Sequence, residues 1–424
     1  MRIEHAPRFR GRFRLPGDKS ISHRAALLGA MADGETRIRN YSSAADCAST
    51  LGCLAALGAR IRRDGSDVTV GADGIEAWKR PGDVLDAGNS GSTLRMLAGA
   101  LAGRPFRGTI TGDASLRRRP VERVAVPLRQ MGATVLSTDG KPPLTIEGGR
   151  LTGVRYDSPV ASAQVKTAVL LAGLQAEGTT TFREPAPSRD HTERMLPAFG
   201  VKVERTPLSA TVHGGGRLHG TEVIVPGDIS SAAFLVVAAL VLPDSEVTLE
   251  GILLSPTRVA FVQVLRAMGG RVELRLEATD PEPIGSIVAS SSALQGTTVD
   301  PALVPSLIDE VPALAAAAAF ARGTFTVTAA AELRVKESDR IAALCEGLSA
   351  LGARVSELPD GLVVEGGAPL RGAVVRSHDD HRIAMALSVA ALGAAGTTEV
   401  EGASCVGVSF PAFYDLLEHG TGRA

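Results

Sequence analysis

The chain has 424 residues, 44 % of them hydrophobic and 21 % charged, with a formal net charge of −1. That length carries two or more domains with sizeable cores, while near-neutral charge gives no global pull toward nucleic acid or acidic membranes, so anion binding must be local. The longest apolar stretches, residues 232–242 and 311–321, are too short to cross a bilayer, and the opening Met1-Arg2-Ile3-Glu4-His5 has no apolar signal core; a cytoplasmic protein with no membrane or nucleic-acid partner is expected.

Cys47, Cys53, Cys345 and Cys405 lack the paired spacing of a zinc or redox site and are expected to be buried, reduced thiols. One Trp, three Tyr and eleven Phe are too few for a platform that stacks bases. Among 45 Lys plus Arg, the only lysines are Lys19, Lys79, Lys141, Lys166, Lys202 and Lys336. A compact, deprotonatable ammonium does what a guanidinium cannot, so these few are candidates for specific work.

The first of them lies in Leu15-Pro16-Gly17-Asp18-Lys19-Ser20-Ile21-Ser22-His23-Arg24. A turn, a lysine, hydroxyls and an arginine precede a predicted helix over residues 21–31, where free amides and the helix dipole favour an anion. A serine cap beside a basic residue is also ordinary helix chemistry. Next, Asp86-Ala87-Gly88-Asn89-Ser90-Gly91-Ser92-Thr93 links a strand end to a predicted helix over residues 94–101. Gly91 permits close approach of a ligand, and the Gly-Lys-Ser/Thr ending of a nucleotide P-loop is missing. Arg117-Arg118-Arg119-Pro120 sets three guanidiniums before a helix; adjacent residues cannot all face one site, so at least one belongs to a solvated run.

Ser162-Ala163-Gln164-Val165-Lys166 offers hydroxyl, amide and ammonium ahead of an apolar helix over residues 167–174, and Ser188-Arg189-Asp190-His191-Thr192-Glu193 opens the helix after that. Further on, Asp309-Glu310 precedes an alanine-rich helix. In Lys336-Glu337-Ser338-Asp339-Arg340, helical spacing would put Lys336 and Arg340 on one face with Glu337 beside them. His378-Asp379-Asp380-His381-Arg382 contains metal-ligand residue types, but the arginine beside them favours an anion over a cation. The Gly-x-Ser-x-Gly elbow of a triad hydrolase is absent.

A helix ending in an apolar residue and Gly, followed by period-two strands, recurs at Gly58, Gly132, Gly200, Gly269 and Gly352. A sixth copy begins, with residues 413–419 as its helix and Gly420 as its cap, but too little chain follows for its strands. Residues 8–15, at the other terminus, are expected to supply them. Two domains of three units follow: residues 1–16 plus 227–424, and the inserted 17–226. The chain would cross between them at Pro16-Gly17 and Pro226-Gly227, with the active site in the cleft, so that Lys19 forms half of a divided site.

Together these segments resemble the EPSP synthase family of enolpyruvyl transferases over essentially the whole chain. The matching motifs, in the family's order, are Gly17-Asp18-Lys19-Ser20, Asn89-Ser90-Gly91-Ser92, Arg119-Pro120, Ser162-Ala163-Gln164, Arg189-Asp190-His191-Thr192-Glu193, Asp309-Glu310, Lys336-Glu337-Ser338-Asp339-Arg340 and Asp380-His381-Arg382. The resemblance implies an α/β fold of two domains, each three βαβαββ repeats in an inside-out barrel. It also implies transfer of the enolpyruvyl group of phosphoenolpyruvate to the 5-hydroxyl of shikimate 3-phosphate, on the route to chorismate and the aromatic amino acids. No metal and no organic cofactor is implied, and a monomer is expected.

By the same resemblance, Lys19, Ser20, Arg24, Ser162, Ala163, Gln164, Arg189, Asp309 and Lys336 hold shikimate 3-phosphate. Lys19, Gly91, Arg119, Gln164, Arg340 and Arg382 hold phosphoenolpyruvate. Asp309 is the expected base at the hydroxyl, Lys19 and Glu337 its proton-transfer partners, and His381 lies near the phosphate. The Ser-Ala-Gln-x-Lys and Arg-x-His-x-Glu patterns resemble the second class of these synthases, some of which tolerate the inhibitor glyphosate; Gly91, where tolerant members often carry alanine, points to sensitivity. Val406-Gly407-Val408-Ser409-Phe410-Pro411 lacks the lysine that many members place before Phe-Pro, a loss that Lys166 or another arginine could make good. The rivals are the related transferase acting on UDP-N-acetylglucosamine, disfavoured because residues 54–344 contain no cysteine for its reactive loop, and a non-catalytic anion-binding protein.

Overall fold

Alanine-rich helices with apolar residues on every side must be covered all round, and that requirement organises the fold. The computed structural model describes residues 1–422. It forms two units, Pro16–Val225 and Met1–Leu15 with Pro226–Ala424, called here the inserted and the terminal unit. The inserted unit holds α1 (Lys19–Met31), α2 (Ala45–Ala56), α3 (Gly91–Ala102), α4 (Glu122–Gln130), α5 (Ala163–Gly173) and α6 (His191–Met195). The terminal unit holds α7 (Ile229–Val241), α8 (Ala260–Ala267), α9 (Val304–Leu307), α10 (Val311–Ala319), α11 (Arg340–Ala350), α12 (His381–Leu392) and α13 (Phe413–Thr421).

Inside the inserted unit α3 packs on both α1 and α5; inside the terminal unit α7, α10 and α12 pack on one another. All six are almost wholly buried. Small side chains let them come close, and a methyl at Gly99 of α3 would overlap the backbone of Ala168 in α5. Sheets lie outside these helices, and the four four-stranded ones share one order: a parallel edge strand, a central strand, then an antiparallel hairpin. Arg155–Asp157, Thr179–Arg183, Ser209–His213 and Glu204–Thr206 make one such sheet. Alternation does the rest, as in Asp67–Asp73, where Val68, Val70 and Ala72 turn inward.

Each unit is three βαβαββ repeats closed into a ring. In the inserted unit the last strand, Glu222–Ile224, is the parallel edge partner of the first, Asp33–Arg39. In the terminal unit the chain start closes the ring, in two pieces rather than one. Arg2–Glu4 pairs antiparallel with Thr397–Glu401 and adds a strand to the last repeat, whereas Arg10–Arg14 runs parallel to Glu246–Leu253, a central strand of the first sheet of the unit. Residues 8–15 therefore do not supply the last repeat's missing strand; Arg2–Glu4 does.

Gly58, Gly132, Gly200, Gly269 and Gly352 have φ of 108°, 109°, 88°, 85° and 96°, so all five end their helices in the left-handed conformation that glycine adopts without strain. The sixth helix is longer than its pattern suggests: α13 is ended by Gly422 at φ 74°. Gly420 lies within it, bare of a side chain because the fully buried ring of Phe9 sits where its Cβ would be.

Gly420→Ala is expected to cost ~1–3 kcal/mol, the usual penalty of overpacking, and an unchanged urea midpoint would show that Phe9 has room to move. Asp380 caps α12 by accepting from the Arg382 amide at 2.9 Å and takes Arg340 Nε at 2.7 Å. Burial alone would raise its pKa, but Arg340 outweighs burial and holds the carboxyl below its ordinary value. Its contribution is therefore present above the unfolded value of about 4 and is lost as pH falls through the lower folded one. Asp380→Asn should lose stability at neutral pH toward the lower end of the ~3–5 kcal/mol that breaking a buried pair costs, since Glu337 and Asp309 still face Arg340. Melting curves of the variant should also fall less steeply than wild type below about pH 4; parallel curves would remove Asp380 from the acid response.

Candidate active site

In the inserted unit the sequence motifs converge on the N-terminal ends of the buried helices. Asp18 caps α1 through the Ile21 amide at 2.9 Å, Ser90 caps α3 through Thr93, and Ser162 caps α5 through Val165. Those caps leave the following residues at the helix mouths: Lys19 and Ser20 on α1, Gly91 and Ser92 on α3, Ala163 and Gln164 on α5. Gln164 ties two mouths together, its Nε2 donating to Ser92 Oγ and its Oε1 accepting from Arg95 Nη1, both at 2.8 Å.

The cations are held by protein partners. Lys19 Nζ is 2.8 Å from Asp46 Oδ2 and remains partly exposed. Arg119 donates to Asn89 Oδ1 at 2.6 Å, buried, while Arg117 and Arg118 face solvent, so only one of the three adjacent guanidiniums joins the cluster. A Cβ on Gly91 would stand 2.7 Å from Arg95 Nη1 and 3.4 Å from Arg119 Nη1, which leaves glycine as the residue that fits without a shift. Arg189 Nη1 donates to Ser20 Oγ at 3.1 Å. Arg24 is buried and divides its guanidinium among Thr192 Oγ1, Thr167 Oγ1, Ser20 O and Ala163 O, which makes it the joint between α1, α5 and α6. Beside it His23 is kept neutral chiefly by burial, with Lys19 and Arg24 adding to the effect.

Lys166 stands apart from this cluster. Its ammonium is 2.8 Å from both Glu184 and Glu193 and 4 % exposed, so it cannot stand in for the lysine missing near Val408.

In the terminal unit the second set gathers at the starts of α10, α11 and α12. Asp309 Oδ1 lies 3.4 Å from Arg340 Nη1 and 3.8 Å from Lys336 Nζ, and its carbonyl accepts from Arg382 Nη1 at 2.8 Å. Arg340, 1 % exposed, also binds Glu337 Oε2 at 2.5 Å and Asp380. Burial opposes its charge, but Asp380, Glu337 and Asp309 together raise its pKa. Lys336 differs: its low-dielectric surroundings lower its pKa and Asp309 only partly opposes this.

Lys336 and Arg340 do not share a helical face. Asp339 caps α11 at Ile341 and Ala342, so the helix begins at Arg340, and Lys336 ends the preceding short turn. The two meet at Asp309 through tertiary placement. Of the two acids, Glu310 points inward, accepting from Ser230 Oγ with Arg258 3.7 Å away, and Asp309 keeps the outward position. His381 is the first residue of α12 and is buried. Among the described residues no group of three His, Cys, Asp or Glu is arranged to hold a metal; of the 378–381 motif, Asp380 is engaged by Arg340 and His378 by Glu346.

Asp46, Asn89, Arg95 and Asp380 are the partners that motif reading missed. Each is remote in sequence from the group it holds; Asn89 and Asp380 nevertheless stand inside motifs already noted, and the capping position of Asp380 ahead of α12 was the available signal.

Comparison with known proteins follows the same lines. A family model described as EPSP synthase (3-phosphoshikimate 1-carboxyvinyltransferase) matches residues 3–417. The chain is 53 % identical over 417 residues to a 3-phosphoshikimate 1-carboxyvinyltransferase of Synechococcus, covering 96 % of this chain and 94 % of that one. It is 52 % identical to its counterpart in Pelotomaculum thermopropionicum, covering 96 % of each. The solved structure of EPSP synthase from Acinetobacter baumannii superposes with a TM-score of 0.88 at 42 % identity, over 99 % of this chain and 97 % of that one. With ordered motifs, two rings of three βαβαββ repeats and full-length likeness, the chain belongs to the EPSP synthase family of carboxyvinyl transferases.

Proposed function

We propose that this chain transfers the enolpyruvyl group of phosphoenolpyruvate to the 5-hydroxyl of shikimate 3-phosphate and releases phosphate, in the branch that leads to chorismate and the aromatic amino acids. The observation that carries this reading is the paired placement of cations and acids at buried helix mouths in a chain of this family. Two phosphates and two carboxylates have to be brought together against their repulsion, and fixed cations with helix dipoles do this without reorganising during the reaction.

Ser20, Ser162, Ala163, Gln164 and Arg189, with Lys19, Asp309 and Lys336, take shikimate 3-phosphate; Arg24, already shared among protein acceptors, orders Ser20 and the start of α5 for it. Lys19, Gly91, Arg119, Gln164, Arg340 and Arg382 take phosphoenolpyruvate. Asp309 accepts the 5-hydroxyl proton as that oxygen bonds to the enol carbon, and the methylene gains a proton from Lys19 or Glu337. The tetrahedral adduct then loses phosphate beside His381 while the methyl returns a proton to restore the double bond. Lys336, with its pKa lowered and its nitrogen near Asp309, keeps that carboxylate poised. The enzyme acts as a cytoplasmic monomer without metal or organic cofactor.

A coupled assay of phosphate release with both substrates tests the reaction directly: release that needs both is expected, and none would overturn it. Asp309→Ala should lower kcat by about 10²–10⁴-fold, the range of a general base, with both substrates still bound; near-normal turnover would remove Asp309 from the chemistry. Glyphosate should compete with phosphoenolpyruvate, and Gly91→Ala should weaken its binding by about tenfold or more, because the added methyl crowds Arg95 and Arg119. Equal inhibition of both proteins would separate Gly91 from the inhibitor site.

A further inference from the structure

Lys166 is a buried cation that the reaction scheme leaves unused, and its surroundings are unlike those of an ordinary surface pair. It lies on α5 just beyond Gln164, 4 % exposed, with Glu184 and Glu193 both at 2.8 Å and 4 % and 5 % exposed. One ammonium thus meets two carboxylates in a place where an unmatched charge is costly. The carboxylates stand at opposite ends of residues 184–193. Glu184 follows the strand Thr179–Arg183, and Glu193 lies in α6.

Between those ends the chain has no regular structure until His191, and it carries Arg189. Glu184 fastens it once more, accepting from the Ser188 amide at 3.0 Å and, through its other oxygen, from the Ser188 hydroxyl at 2.6 Å. Arg189 comes next and reaches Ser20 Oγ. A loop held at both ends by one ammonium keeps little freedom for the guanidinium at its apex, and a fixed guanidinium gives up less entropy when an anion arrives.

We propose that Lys166 is a positioning residue for shikimate 3-phosphate: by clamping Glu184 and Glu193 it presets the 184–193 loop and, through Ser188, the guanidinium of Arg189. The proposal rests on the assignment of Arg189 to that substrate. It makes the clamp specific to one of the two substrates, because the side chains of this unit assigned to phosphoenolpyruvate are fastened separately: Lys19 by Asp46, Arg119 by Asn89, and Gln164 by Ser92 and Arg95.

Steady-state kinetics of the full-length enzyme, varying each substrate at saturating levels of the other, test this. Lys166→Met should raise KM for shikimate 3-phosphate about tenfold while kcat and KM for phosphoenolpyruvate stay within about twofold. In an Arg189→Ala background the same change should add less than about twofold, since groups acting as one unit are not additive. Equal effects on both substrates, or a full tenfold increment in the Arg189→Ala background, would overturn the proposal. If Lys166→Met fails to fold, Glu184→Gln and Ser188→Ala carry the test: each should raise KM for shikimate 3-phosphate alone by about two- to fivefold, and unchanged values in both would overturn it. Wild-type enzyme run in parallel separates this from the reaction itself, because absence of phosphate release there overturns the assigned activity, whereas release with substrate-independent variant effects overturns only the clamp.

Discussion

A charge cannot be buried alone, and the pairing this demands shapes both units. Removing an ion from water costs several kcal/mol even after relaxation, and a partner within hydrogen-bond distance is what makes it tolerable. Lys19 with Asp46, Lys166 with Glu184 and Glu193, Arg258 with Ser230 and through it Glu310, and Arg340 with Asp380 and Glu337 each meet that demand at the mouth of a buried helix or beside one. The acids do second duties as well: Asp380 caps α12 and Glu184 closes the turn at Ser188. Removing one of them would therefore release a cation and loosen backbone together.

The repeat explains why these pairs fall where they do. A helix apolar on all sides can only be central, so three of them pack together in each unit with the sheets outside. Their first turns then become the natural meeting place for polar groups, because free amides at a helix start need acceptors and favour anions. Ser90 and Ser162 take the capping role with side chains too short to fill the mouth, which leaves Gly91, Ser92 and Gln164 free to build a surface. Tight packing at Gly99, where α3 meets Ala168 of α5, holds those two mouths together, and preorganised donors of this kind stabilise charge that develops in a transition state.

Parts of this were plain from the chain. The five glycines that end helices were readable because the left-handed conformation is a local demand, and Gly17-Asp18-Lys19-Ser20 and Asp309-Glu310 were readable because their chemistry is compressed into a few adjacent residues. Other parts were misread for equally local reasons. Gly420 looked like a cap, yet it is glycine to admit a ring from the far end of the chain. Lys336 and Arg340 had helical spacing, but Asp339 starts the helix too late for that spacing to apply. Residues 8–15 had the right look for the missing strand, although register in the ring gives that place to Arg2–Glu4.

What the sequence determined by itself is the set of local preferences: repeat length, helix ends, strand alternation, and which short segments concentrate cations, hydroxyls and acids. These follow from backbone conformation and composition within a few residues. Only the tertiary structure decided which charges are neutralised by which, that Lys166 is sealed between Glu184 and Glu193 and not offered to a ligand, and that Asp309 faces outward while Glu310 is drawn in by Ser230 and Arg258. Pairing of that kind joins residues far apart in the chain, and its energy depends on distance and burial, which no local pattern encodes.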